Sequence, residues 1–324
     1  MYGAKNSTFM HLREYMDYHS QRFTDCSLVA YHDNKIVGVM PANRVGDTLY
    51  SHQGLPFAGW LVQAKHFDIT SMLEIWNEME KFLPAQGIRR LAYKPSPHIY
   101  HSYPSEEDLY AIFRHKGTVT TTLISTVVPI ADALQFNMSY RQRVRNAQKH
   151  NIEVRETTDL APYWDVLTQL LGDRYGVKPV HTLQEINLLH SLFPINIRLF
   201  TANLGDELLG GTLIYHTGLV ARAQYTAASP KGKELAVLPL VFHHLINNVF
   251  DQSRYFDFGT SNEQGGLAIN EGLIKQKTAM GGRGIAYNTY TIEFGCVEVR
   301  GKRQEVRGKR QEVRGKGQEV RGKG

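Results

Sequence analysis

The stretch "RYFDFGTSNEQGGLAINEGLIKQKTAMGG" runs from Arg254 to Gly282. It opens as a buried strand, Tyr255-Phe256-Asp257-Phe258, a short apolar run bounded by turn formers. The apolar pattern then stops, and Gly259, Thr260, Ser261, Asn262, Glu263, Gln264, Gly265 and Gly266 follow. Asp257 sits inside the strand and Glu263 just beyond its end. A helix-like stretch holding Lys275 and Lys277 comes next. An acid in an apolar strand is costly unless it is paired. Ligand sites in open α/β sheets gather at strand ends, and glycines there let backbone approach a ligand closely. The stretch therefore reads as a strand that ends at a donor or acceptor site.

Working outward, "INIRLFTAN" and "ELLGGTLIYH" flank "LGD" as a hairpin, and "LVARAQYTAAS" is a third strand. "LPLVFHHLINNVF" is a helix with Leu238, Val241, Phe242, Leu245, Ile246 and Val249 as its stripe, and Pro239 near its start. The first half of the chain has the same order. "CSLVAY" and "KIVGVMPA" surround "HDNK", and "DTLYSHQG" is the third strand. Asp68 caps a helix carrying Ile69, Met72, Leu73, Trp76, Met79, Phe82 and Leu83, which Pro84 and Gly87 end. "IRRLAYK" and "TTTLISTVVPI" are further strands. Ahead of all these, Phe9, Leu12, Tyr15 and Met16 have helical spacing after Asn6-Ser7-Thr8. Between the halves lie three helices. "SYRQRVRNAQKH" starts at Ser139, "LAPYWDVLTQLLGDRYG" follows, and "TLQEINLLHSLF" opens with a capping box from Thr182 to Glu185. The repeat is one of architecture, with almost no residue identity.

Charge is concentrated at one end. The heptad repeat "EVRGKRQ" from Glu298 to Gly324 holds ten Lys/Arg and four Glu, hence +6, which equals the net charge of the whole 324-residue chain. The preceding residues sum to about zero. With Val as its sole apolar residue type, the tail cannot bury a core and is expected to be disordered. A basic tail can bind nucleic acid or anionic membrane, but no aromatic is interleaved, and a repeat-derived extension without function is the favoured reading. No specific DNA binding is expected. No apolar run approaches a membrane span. Two distant cysteines, Cys26 and Cys296, fit a reducing, cytoplasmic compartment.

Three blocks carry a family resemblance: "SYRQRVRNAQKHNIEVRE", "GVKPVHTLQEINLL" and "YFDFGTSNEQGGLAINEGLIKQKTAMGG". Together with the element order they resemble the FemAB-type branch of the double-GNAT acyltransferases, over roughly residues 5–294. The resemblance implies an α/β (α+β) fold of two tandem GNAT-like domains, each a mixed, mainly antiparallel sheet flanked by helices. The expected units are 1–135, without its first strand; 136–296; and the tail 297–324. The implied activity is transfer of an acyl or aminoacyl group onto an amine of a cell-envelope or polysaccharide precursor, from acyl-coenzyme A or aminoacyl-tRNA. Acyl-coenzyme A would be a donor substrate and not a tightly bound cofactor. The competing expectation is a non-catalytic GNAT-like binding or scaffold protein.

The candidate catalytic residues are Glu263, as the freer base, and Asp257. Asp257 either orients or deprotonates an amine, or is a structural acid bonded to backbone or an Arg. Candidates for substrate binding start with Arg141, Arg145 and Lys149, which share one helix face able to clamp phosphates, while Arg143 lies off it. Lys277 matches a lysine of the family's C-terminal block and could reach a phosphate. Ser261, Asn262, His181 and Tyr225 complete that set. His181 stands at the hydrophobic-staple position before the capping box, and Tyr225 could donate to an oxyanion. The glycine-rich coenzyme A loop of GNAT enzymes is replaced by "SPKGKELAVLP", whose spacing fails, so coenzyme A has a place in the second half only, with Lys231, Gly232 and Lys233 as the candidates to contact it. His98-x-x-His101 and His243-His244 lack partner ligands, so no metal site is expected.

Overall fold

The computed structural model of the chain describes residues 3–295. The tail expected over 297–324 lies outside the described residues.

In the first half, the helix expected after Asn6-Ser7-Thr8 is broken into short turns, among them α1 (Arg13–Met16). A hairpin of β1 (Leu28–His32) and β2 (Lys35–Met40) closes through Asp33 and Asn34, whose φ of 49° and 60° suit a primed turn. Then come β3 (Asn43–Val45), β4 (Thr48–Tyr50) and β5 (Leu61–Val62). Helix α2 (Ile69–Ala85) starts where the Asp68 carboxylate accepts the N–H groups of Thr70 and Ser71. It buries Met72, Trp76, Met79 and Leu83, each burial contributing about 1.5–3 kcal/mol. Pro84 lies in its last turn and does not end it. Strand β6 (Arg90–Tyr93), helix α3 (Glu107–Arg114) and the long strand β7 (Thr118–Pro129) follow.

In the second half, α4 (Met138–Lys149) is capped by Asn137, one residue earlier than the sequence suggests. Next are β8 (Glu153–Thr157), α5 (Ala161–Tyr175) and α6 (Leu183–Leu192), the last with its Thr182–Glu185 capping box formed. Strands β9 (Ile197–Leu204), β10 (Glu207–His216) and β11 (Val220–Ala228) precede the short helix α7 (Pro230–Glu234). Helix α8 (Val237–His244) runs on into a π-helical turn over Leu245–Val249. The chain continues with β12 (Tyr255–Thr260), a small ribbon of β13 (Asn262–Glu263) and β14 (Ala268–Ile269), α9 (Glu271–Ala279) and the long strand β15 (Arg283–Glu293).

One ten-stranded sheet runs in the order β3-β4-β6-β15-β7-β12-β11-β10-β9-β8. Its pairs are antiparallel, except that β4 lies parallel to β6 and β11 parallel to β12. This is the mixed, mainly antiparallel α/β fold expected. The two long strands are exchanged across its middle: β15 sits between β6 and β7, and β7 sits between β15 and β12. Strands β1, β2 and β5 form a separate three-stranded sheet. One core cluster packs α2 on the first half and another packs α8 on the second. A third, rich in aromatics such as Phe9, Tyr15, Tyr100, Trp164 and Tyr215, joins the halves.

Candidate active site

Strands β11 and β12 pair only from Val220↔Tyr255 to Arg222↔Asp257, although β11 runs on to Ala228 and β12 to Thr260. Both strands change course at that point. On β11, Gln224 is an extra residue, because Leu213 faces Tyr225 while Ile214 faces Ala223. On β12, Gly259 takes a φ of 78°, open to glycine without strain. The strands therefore part and open a cleft of about 510 Å³. Arg222, Gln224, Gly259, Thr260 and Lys277 line it. So do Tyr140, Arg143 and Lys233, with Ala236 to Pro239 at the start of α8. The Arg143 guanidinium stacks 4.9 Å from the Tyr140 ring. No side chain caps the start of α8, where Ala236 takes a left-handed φ of 54°. Uncapped N–H groups at a helix start favour an anion.

Asp257 is fully buried and saturated with donors. Oδ1 accepts from Ser125 Oγ at 2.5 Å and the Gly259 N–H at 2.7 Å. Oδ2 accepts from Tyr100 at 2.7 Å, Tyr287 at 2.8 Å and Arg222 Nη1 at 3.1 Å. Burial alone would raise this carboxyl, but the Arg222 guanidinium and the donated hydrogen bonds hold it below the usual carboxylate range. Its donors come from both halves and both exchanged strands. Both oxygens of the candidate base Asp257 are thus occupied by donors, the arrangement expected of its alternative role as a paired structural acid. The partners Arg222, Tyr100 and Tyr287 went unnoticed in the sequence, where only the solitary acid gave a hint.

Glu263, the other candidate base, is exposed on β13 and accepts from Asn270 Nδ2 at 2.9 Å. It is not among the residues lining the cleft, because the ribbon carries it past the strand end. Ser261 and Asn262 are spent on the chain itself. Asn262 Oδ1 accepts the Ile124 N–H at 2.6 Å, and Ser261 Oγ accepts from Lys277 at 2.8 Å. Lys277 does reach the cleft. Its ammonium also donates to the carbonyls of Gly259 at 2.8 Å and Thr260 at 3.0 Å. Burial lowers its pKa to about 8, against the charge of Asp257, which raises it.

The basic face of α4 turns out differently. Arg141 and Arg145 are exposed and bond to Gln135 and Gln142, at 3.0 Å each. With Lys149 they stay off the cleft, and Arg143, set aside by the spacing argument, lines it instead. The reason is that α4 turns Val144 and Ala147 inward, which brings position 143 beside the opening. His181 and Tyr225 are brought together, with His181 Nδ1 2.5 Å from the Tyr225 hydroxyl and Nε2 2.9 Å from Tyr18. Burial lowers this imidazole to about 4, so it is neutral at ordinary pH. The trio ties the first half to β11 and is not part of the cleft. Of the loop residues, Gly232 and Lys233 line the cleft, while Lys231 points away to an ion pair with Glu207. Among the described residues no cluster of three or more His, Cys, Asp or Glu is placed to hold a metal ion, and no helix is long and apolar enough to cross a membrane.

The parted parallel strands and the helix start facing the gap form one cleft. Residues 137–264, which supply most of its walls, match the model of the acetyltransferase (GNAT) domain. Among solved structures the chain is similar to FemX, at 12% identity over 90% of this chain and 93% of that one, with a TM-score of 0.65. It is similar to L-PGS from Bacillus licheniformis at 11% identity, covering 91% and 94%, with a TM-score of 0.55. A C-terminal domain from Agrobacterium fabrum, assigned to a lysylphosphatidylglycerol synthetase, gives 8% identity, 87% and 91% coverage, and a TM-score of 0.55. No curated protein matches the chain by sequence. Residues 137–264 therefore have the GNAT-type fold, and the chain shares the fold of FemX across nearly its whole described length.

Proposed function

We propose that the chain is an N-acyltransferase that holds its acyl or aminoacyl donor between β11 and β12 and passes the group to an amine of a cell-envelope or polysaccharide precursor. The carrying observation is the parting of the two strands after Arg222 and Asp257. Unpaired strand edges are a hydrogen-bonding template for an extended ligand. Phosphates of such a donor would lie at the start of α8, near Lys233 and Arg143. The reacting carbonyl would lie deeper, where Arg222 and Lys277 supply positive charge as its oxygen becomes anionic. The amine nitrogen forms a bond to the carbonyl carbon, and the bond from that carbon to the departing sulfur or oxygen breaks. The leaving group takes the amine proton, so the reaction needs positioning more than a dedicated side-chain base.

The relatives favour envelope chemistry, since FemX and the synthetase domain share the fold. The near-neutral body offers no broad footprint for tRNA, which favours a coenzyme A thioester. Either donor belongs to the cytoplasm, which is where we place the reaction. The chain divides into two units at 135/136, and each long strand pairs across that boundary.

The test is direct binding of acetyl-coenzyme A and of charged tRNA to the wild type and to Lys233→Glu. Saturable binding of one donor, weakened by the charge reversal, is expected. If neither binds, the chain is a GNAT-like binding protein without a donor.

A further inference from the structure

We propose that a second, smaller pocket, at the C-terminal end of β6, binds the ammonium group of a small organic amine. The pocket measures about 100 Å³. Ser96, Glu106, Asp108, Tyr287, Asn288 and Tyr290 are among its walls, and it shares no lining residue with the donor cleft. Its construction follows from three elements. After β6 the segment Pro95–Pro97 turns aside, held by a 2.8 Å contact between His101 Nε2 and the Ser96 carbonyl. Helix α3 begins at Glu107, which puts Asp108 in its first turn. The exchanged strand β15 supplies the opposite wall.

Two buried polar residues line this space, a serine with an unsatisfied hydroxyl and an acid without an ion-pair partner among the described residues. Ser96 is 6% exposed, and its hydroxyl has no hydrogen-bond partner among the described residues. Such a group is rarely left alone in a native interior. Asp108 is 4% exposed and accepts from the Tyr93 hydroxyl at 2.8 Å and from the Leu109 N–H. The neighbouring charges acting on it, those of Glu107 and Glu106, are negative. Burial accordingly pushes this carboxyl up to about 7, and among the described residues it has no ion-pair partner.

An ammonium group is the complement. It carries three donors and no acceptor, and Asp108 and Ser96 offer acceptors. Its charge offsets a carboxylate that the protein leaves unpaired. The pocket is too small for a nucleotide or a sugar, since about 100 Å³ equals roughly three waters at liquid density. It holds the head of an alkylamine, free or at the end of a longer chain. This site does not depend on the donor assignment.

Ethylammonium chloride titrated calorimetrically into the full chain tests the proposal, with ethanol as a neutral probe of similar size. Saturable binding of ethylammonium and none of ethanol is expected. Asp108→Asn should weaken binding roughly tenfold or more, the scale of a charged hydrogen bond. That variant also disturbs Tyr93, so Ser96→Ala is the cleaner companion, for it breaks no internal side-chain bond and should weaken binding with an unchanged melt. Absence of saturable ethylammonium binding to the wild type, equal binding of ethanol, or full affinity in both variants would overturn the assignment.

Discussion

Five donors converge on the two oxygens of Asp257, and Arg222 has no other carboxylate partner among the described residues. Asp257→Asn would leave that guanidinium buried and unpaired. A loss of about 3–5 kcal/mol in denaturant unfolding is expected; a loss under about 1 kcal/mol would show that the network is not holding the fold. The acid-side behaviour follows from its depressed pKa. The stabilisation is complete above the unfolded value near 4 and is lost as pH falls through the lower folded value. Histidines act at higher pH. His11, His52, His101 and His181 are held neutral, each lowered by burial to about 4. Their unfolded values lie near 6.5, so stability should be full above about 6.5 and decline as pH drops towards 4. Melting curves across that window check it, and His181→Gln should make the decline shallower. At the cleft, Arg143→Glu should weaken donor binding while Arg145→Glu leaves it unchanged, as titrations with the donor will show. The sequence betrays Asp257 because an acid in an apolar strand must have partners. It hides their identity, because Arg222, Tyr100 and Tyr287 come from other strands and loops. Arg143 escapes notice for a related reason: charge spacing says which residues share a helix face, not which face meets the opening.

Elements with strong local signals are legible. Asp68 announces α2, and Thr182 with Glu185 announces α6, since a cap is written within four residues. Helix α3 is hidden in a Tyr/His/Pro-rich stretch. Strands β8 and β15 alternate weakly and carry polar side chains on partly exposed faces, so neither shows a clear apolar period. Helix α7 makes a sharper claim. A Cβ at Gly232 would fall 2.0 Å from the Leu209 carbonyl oxygen, a backbone atom with little room to retreat. Gly232→Ala should therefore cost about 1–3 kcal/mol by overpacking and should displace the lysine-bearing turn at the cleft. An unchanged melting temperature would mean that the turn adjusts freely. The N–H that a coenzyme A loop would offer is taken here by the Ser229 hydroxyl at 3.1 Å, and close packing is what requires the glycine.

At the scale of the molecule, the order of elements in each half is readable, but the exchange of β7 and β15 is not, for no local pattern records which distant strand lies alongside. The exchange predicts that a fragment of residues 1–135 will not fold alone, since β6 and β7 lack the strand between them. Heteronuclear NMR of the fragment should give collapsed, poorly dispersed signals, and co-expression with residues 136–295 should restore dispersion. A well-dispersed spectrum of the isolated fragment would overturn this. The same arrangement has a temporal side. On the ribosome the amino-terminal half leaves the exit tunnel first, yet the strand that fills the gap in its sheet is among the last described parts to be translated. Until β15 has been translated the nascent chain must carry an open seam between β6 and β7, a surface suited to chaperones.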